Sequence, residues 1–413
     1  MLKYAKNELF VENVSLSKLA NKYSTPLYVY SQKKLELNFN AYKDGFKDIK
    51  GIICYAIKAN SNHGILKLLA KLGAGADIVS GGELYRALKA GIKPQKIVYS
   101  GVGKTVQEIE YALKSNILMF NAESFEELQQ INEVAKKLKK KAKISFRVNP
   151  DVDPHTHEHI TTGKFGSKFG VMYEDAFELY KKAAAMANIE VVGVDSHIGS
   201  QLLDVKPYKL AAIKISKLID KLEKAGIKIK YIDIGGGLGI KYTSKDKPKK
   251  PLDLKKTVMS VYSKYKDKTI IVEPGRSIVG DAGILLGEVI YRKNTGSKNF
   301  VIINIAMNDL IRPALYDSYH NILPVVKTSK KRQIADIVGP ICETGDFIAK
   351  DRNFPMLEKG SLIAVECVGA YGRAMACQYN SRTRGAEVLI NGTKVSVIRK
   401  AETIEDLVSK EVK

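Results

Sequence analysis

The amino-acid sequence predicts an α/β protein, a parallel (β/α)8 TIM barrel followed by a C-terminal β-rich domain of sandwich or barrel type. Three observations carry this expectation. Between about residues 50 and 275, eight short apolar runs alternate with segments of helical periodicity, the pattern of a closed parallel barrel. Beyond about residue 280, β-branched runs separated by turn signals replace the helical patterns. The 413 residues also exceed one ordinary domain, which holds about 100–200.

The eight candidate barrel strands span 52–58, 76–80, 96–100, 117–121, 143–149, 191–199, 229–235 and 269–275. Between them, GGELYRALKAG opens on glycine and closes on a glycine suited to a helix C-terminus. PYKLAAIKISKLIDKLEKAG repeats apolar residues at i, i+3, i+4 and i+7. The β-rich part is built from ILLGEVIYRK, FVIINIA, ADIVG, SLIAVECVG and AEVLING. LFVENV and PLYVY near the N-terminus can add strands to it. The expected division is 1–30 packing with the β domain, 31–280 as the barrel and 281–413 as the β domain.

Composition narrows the function classes. The chain is 45% hydrophobic, and none of its apolar runs approaches the roughly 18 residues of a membrane span. The N-terminus lacks a secretory apolar region. Cys54, Cys342, Cys367 and Cys377 form no CxxC pair and no zinc spacing, and Cys54 and Cys367 sit in strand-like apolar runs. A reducing cytoplasm is expected. The formal net charge is +23, yet only eleven residues are arginine. Lysines spread over helix faces and loops read as a solvated surface, so neither a nucleic acid nor a membrane is an expected partner.

Chemistry in such a barrel belongs at the C-terminal ends of its strands. Those ends carry Lys58, Ser80, Ser100, Asn121, Arg147, His197, Gly235-Gly236-Gly237, Glu273 and Arg276. A lysine inside the apolar run CYAIKAN can lose its proton by desolvation and form a Schiff base, although a strand-end lysine can also simply reach solvent. Three glycines after strand seven let backbone N–H groups approach a phosphate; alone they would equally suit a flexible turn. If Lys58 held pyridoxal phosphate (PLP), Glu273 in VEPGR would lie near its ring and keep the pyridine nitrogen protonated, or else pair with Arg276. His197 can stack on a ring or move a proton, or serve structure alone. No carboxylate or cysteine cluster completes HTHEH (His155, His157, His159), so no metal is expected. The β domain adds Arg312 and Tyr316 in NDLIRPALY, Cys342 and Glu343 in GPICETGD, and Tyr371 in GAYG. Arginine is scarce here and suits carboxylates, and a loop cysteine can act as an acid.

YAIKAN, DIVSGGEL, HIGSQ, DIGGGLGI, EPGRS, MNDLIRPALY, GPICETGD and GAYG occur in one order from TPLYVY to YNSR. In these motifs the chain resembles the fold-type III PLP-dependent decarboxylases, and within them the branch acting on meso-diaminopimelate. The resemblance implies an alanine-racemase-like architecture and a homodimer with shared active sites. It implies that Lys58 carries PLP, that His197 stacks on the ring and that Glu273 pairs with the pyridine nitrogen. It implies cofactor contacts from Asp77, Arg147, Ser200, Gly236, Gly237, Glu273, Pro274, Gly275, Arg276 and Tyr371. Arg276, Arg312, Tyr316, Glu343 and Tyr371 would bind substrate, and Cys342 of the second subunit would return the proton. The reaction implied is decarboxylation of meso-diaminopimelate to L-lysine. Decarboxylation of ornithine, arginine or carboxynorspermidine is the alternative, and racemases and non-enzymatic PLP-binding proteins fit less well. Thr344 and Thr383 depart from the usual serine and proline without removing a reacting group.

Overall fold

A computed structural model describes residues 1–152 and 168–412. The HTHEH histidines lie outside them. The chain divides into two compact units. One comprises Asn38–Ile240 and Lys247–Ser277, the other Met1–Leu37, Lys241–Asp246 and Ile278–Lys413.

The first unit is a closed parallel barrel. Its strands are β1 (Gly51–Ala56), β2 (Gly75–Ile78), β3 (Ile97–Tyr99), β4 (Met119–Ala122), β5 (Ala142–Asn149), β6 (Ile189–Asp195), β7 (Tyr231–Asp233) and β8 (Thr269–Val272). Each pairs in parallel with the next, and Val272 opposite Ile53 joins β8 to β1. The eight apolar runs are therefore the eight barrel strands. Several stop short of the sequence-based ends: β1 ends two residues before Lys58, β6 two before His197, and β7 two before Gly235. Residues that carry chemistry sit on the turns just past the strands, where the backbone leaves the ladder and can aim side chains across the mouth.

The helices form where the local signals say. Ser80 accepts the Glu83 N–H and opens Gly81–Lys89, and Gly91 closes it at φ +89°. Thr105 and Glu108 form a reciprocal capping box. The helix Lys206–Lys224 buries Tyr208, Ala211, Ala212, Ile215, Leu218, Ile219 and Leu222. This is the stripe its periodicity predicted, and each large aliphatic side chain so buried contributes about 1.5–3 kcal/mol.

The second unit is β-rich. The strand Leu27–Ser31 is wholly buried and lies between Gly283–Asn294, antiparallel, and Ala386–Asn391, parallel. Leu27, Val29, Ile284, Leu286, Val388 and Ile390 form its core. Asn299–Ile303, Arg332–Val338 and Leu362–Val365 occupy the remaining expected runs. Phe347–Pro355 and Lys394–Arg399 are strands that patterning alone passed over, because Lys350, Asp351 and Arg352 interrupt one and the other alternates charge with valine. Cys54 is buried in β1 as expected. Cys367 is not in a strand: it is half-buried, two residues past Val365, at φ +58°. Among the described residues, no helix is long and apolar enough to cross a membrane.

Candidate active site

Lys58 occupies a single 3-10 turn, Ile57–Ala59, beyond β1. Its ammonium lies 2.5 Å from Oδ2 of Asp77, which is fully buried on β2. The lysine therefore reaches across neighbouring strand ends to a buried carboxylate while staying partly open to solvent. Gly275 packs on the same turn, since a Cβ there would meet those of Ala59 and Ala56 at 3.0 and 3.1 Å. The Ala56 N–H donates to the Pro274 carbonyl at 3.1 Å. YAIKAN and EPGR are thus one structural element.

The glycine triplet is a built cradle. Gly235 and Gly237 adopt φ of +65° and +104°, where L side chains are strained. A Cβ on Gly236 would lie 2.1 Å from the Glu273 carbonyl oxygen, and one on Gly237 2.2 Å from that of Gly199. Tyr208 donates to the Gly236 carbonyl at 2.8 Å, and Asp233 Oδ1 accepts the Gly235 N–H at 3.0 Å. The triplet is thus a packed turn with defined hydrogen-bond partners.

His197 is tied to this cradle, because its Nδ1 accepts the Gly236 N–H at 3.0 Å. The ring is then the Nε2–H tautomer. Burial holds its pKa well below the ordinary value, with the charges of Arg147 and Lys58 adding to the effect, so it is neutral at pH 7. Arg276 is buried and donates to Ser200 Oγ at 3.2 Å. Arg147, on β5, pairs with Glu123 at 3.2 Å and stacks over Phe169 at 4.7 Å. Glu123 also accepts the backbone N–H groups of Gly101 and Gly170.

Glu273 follows β8 and is buried, and its Oε1 has no hydrogen-bond partner. Burial raises its pKa well above the carboxylate range, reinforced by Asp233, Asp77 and Asp195, with Lys58 opposing. Asp195 ends β6 and Asp233 ends β7, and carboxylate oxygens of Asp195, Asp233 and Glu273 all lie within 4.8 Å of one another. Sequence reasoning missed both aspartates. It read the strand-end position two residues too late, although each closes an apolar run, which was the available signal. Ser80 is a helix cap, while Asn121 bridges Ser100 and Ser145 inside the barrel.

In the β-rich unit, Arg312 donates to Tyr242 Oη at 3.0 Å and Ser318 Oγ at 3.1 Å, with His320 Nε2 at 3.0 Å. A guanidinium only donates, so that nitrogen accepts and Nδ1–H donates to the Glu366 carbonyl at 2.8 Å. Arg312 is held in one pose. Tyr316 ends the same short helix, half-buried. Cys342 and Glu343 stand exposed on a loop whose base Asp346 anchors through the Met307 and Ile341 N–H groups, both at 2.7 Å. Tyr371 adopts φ +57°, a left-handed conformation rare for a bulky residue and enriched at functional sites.

The barrel residues suit a pyridine aldehyde phosphate on structural grounds. A positioned amine, a tight glycine turn with no room for side chains and a buried carboxyl oxygen match its three polar ends.

Known proteins agree. Residues 32–280 match the family described as pyridoxal-dependent decarboxylase, pyridoxal binding domain. A diaminopimelate decarboxylase of Aquifex aeolicus is 53% identical over 407 residues, covering 98% of this chain and 96% of the relative. The crystal structure of the Helicobacter pylori diaminopimelate decarboxylase complexed with L-lysine is similar at TM-score 0.92 and 46% identity, covering 96% of this chain and 98% of that one. The diaminopimelate decarboxylase from m. jannaschii, also in complex with L-lysine, is similar at TM-score 0.95 and 40% identity, covering 100% of this chain and 98% of that one.

Proposed function

The chain belongs to the diaminopimelate decarboxylase family of pyridoxal-dependent decarboxylases, and we propose that it converts meso-2,6-diaminopimelate to L-lysine and carbon dioxide, as a carboxy-lyase of lysine biosynthesis. The observation that carries this reading is the gathering of the Lys58 amine, the glycine cradle and the buried Glu273 at one end of the barrel.

Bound PLP supplies an electron sink for the pair of electrons left when carbon dioxide departs. Lys58 would carry the cofactor through its amine, with Asp77 beside that amine to orient it. His197, neutral, would pack on the ring, and Glu273 would hold a proton at the pyridine nitrogen. Gly235, Gly236, Gly237, Ser200 and the Glu273–Pro274–Gly275–Arg276 segment would hold the phosphate end, with Arg147 and Tyr371 completing the cofactor's contacts. Arg276, Arg312, Tyr316 and Tyr371 bind the substrate. Fixed arginines suit the distal carboxylate because a guanidinium can clamp it with two hydrogen bonds. Glu343 receives the distal ammonium, a charge that a dehydrated site must pair. Cys342 returns the proton to the reacting carbon. The working unit is a cytoplasmic homodimer in which Cys342 serves the other subunit's barrel.

A substrate panel tests the reading. The protein saturated with PLP should release carbon dioxide from meso-diaminopimelate and yield L-lysine, with ornithine, arginine and carboxynorspermidine at least about tenfold less efficient; one unmet charge in a dehydrated site costs at least that much. Preference for a substrate without the distal carboxylate would defeat it.

A further inference from the structure

Three consecutive barrel strands end in acids: Asp195 closes β6, Asp233 closes β7, and Glu273 follows β8. Asp195 and Asp233 are 1% exposed and Glu273 5%. Their facing oxygens lie within 4.8 Å of one another. Asp195 Oδ1 and Glu273 Oε1 find no hydrogen-bond donor among the described residues, and Asp233 lies within hydrogen-bonding reach of Glu273 and of Asn121. Three buried carboxylates at that separation cannot all be ionised without a compensating positive charge, because like charges in a poorly hydrated space raise one another's proton affinity.

We propose that Asp195 and Asp233 are positioning residues that act through Glu273, holding it against the cofactor's pyridine nitrogen and keeping a proton on that nitrogen. The proposal rests on the reading that the barrel holds PLP with its ring nitrogen at Glu273. A lone glutamate facing a pyridine can leave the proton on either partner. Two further carboxylates within 4.8 Å of it add negative charge close to that contact, which favours the cationic nitrogen. The proton that the acid cluster shares before cofactor binding has one destination afterwards: it leaves a carboxyl oxygen and bonds to the ring nitrogen, and the resulting cation is met by the cluster's negative charge. Atoms and charge balance without another reactant.

The positions of the two aspartates suit the task. Asp233 spends its other oxygen on the Gly235 N–H, so the same side chain that faces Glu273 also fixes the start of the glycine cradle. Asp195 stands two residues before His197, whose ring is fixed against Gly236. Burial raises the pKa of Asp195 well above its ordinary range and that of Asp233 to about 6. The other charged groups acting on the cluster are Asp77, Glu123, Lys58 and Arg147. Lys58 pairs with Asp77, and Arg147 with Glu123, so neither cation is dedicated to the three acids. The pyridinium would be their own counter-charge.

The test reads the nitrogen directly. Holoenzyme is assembled with PLP carrying 15N in the ring, and the 15N shift of the bound cofactor is followed against pH in wild type, Asp195→Asn, Asp233→Asn and the double variant. The wild-type nitrogen should stay protonated across the range in which the protein is folded. Each aspartate lost should lower the pH of deprotonation by about one unit or more, with a fall in kcat of about tenfold and little change in KM. Asp195→Asn leaves the Gly235 hydrogen bond untouched, so it decides the matter if Asp233→Asn fails to fold. Titrations that coincide with wild type in the folded variants would overturn the proposal. So would one equivalent of divalent metal per chain in the purified protein, lost on replacing either aspartate, since the cluster would then be an ion site. An unprotonated nitrogen in wild type, or one indifferent to Glu273→Gln, would overturn the underlying placement of the ring as well.

Discussion

Lys58 stands apart from the chain's many other lysines through what surrounds it: an apolar strand behind, a buried aspartate at 2.5 Å in front, and a glycine packed on its turn. Lys58→Ala should abolish the absorption band of lysine-bound PLP at the border of the visible and ultraviolet. Borohydride reduction of wild type followed by peptide mapping should place the label on Lys58; a label elsewhere rejects the assignment. The motif YAIKAN made this lysine legible because an amine inside an apolar strand-end run needs a reason. Arg312 was legible through its scarcity, but its partner His320 was not. His320 earns its place by accepting one hydrogen bond and donating another across folded segments, and nothing in SYHNI announces that. Asp195 and Asp233 were missed for a related reason. An acid ending an apolar run looks like the beginning of a loop until the barrel closes and brings β6, β7 and β8 together.

The loops after β7 and β8 interlock as one element, and this sets how much change they tolerate. Gly236 has the Glu273 carbonyl oxygen where its Cβ would be, 2.1 Å away. Gly236→Ala must therefore push the two loops apart, deforming the proposed phosphate cradle and displacing Glu273. We expect a stability loss of about 1–3 kcal/mol, the range for overpacking a close-packed site, and at least tenfold weaker PLP binding, read by calorimetric melting and by fluorescence titration of the cofactor. Gly103, with nothing within 4 Å of a built Cβ, is the control: Gly103→Ala should match wild type in both measurements. Equal PLP affinity in Gly236→Ala would show that the triplet does not cradle the cofactor. The elements themselves were largely legible because barrel strands are mostly apolar and the intervening helices keep a 3.6-residue period. The strands passed over in the β-rich unit, such as Phe347–Pro355, carry charge because part of each faces solvent, and such strands have no apolar signature to detect.

The two compact units divide the proposed chemistry between them. Lys58, His197 and Glu273 belong to the barrel unit; Cys342 and Glu343 stand exposed on a loop of the β-rich unit. An acid that returns a proton to carbon must be shielded from water when it acts, and an exposed loop cysteine is not shielded within its own unit. A twofold dimer supplies that shielding if each cysteine enters the other subunit's site, and an isologous interface builds two such sites at once. Mixing two inactive proteins tests this at the level of the assembly. Lys58→Ala and Cys342→Ala are combined under conditions in which subunits exchange, with exchange verified by mass-tagged chains. In a mixed dimer with shared sites, one site carries both lesions and the other carries none. Random pairing makes half of the dimers mixed, so activity should recover to about one quarter of wild type for independent sites. If each cysteine served its own chain, every site in the mixed dimer would carry one lesion and no activity would return. Exchange without recovery would therefore assign Cys342 to its own barrel or remove it from the chemistry.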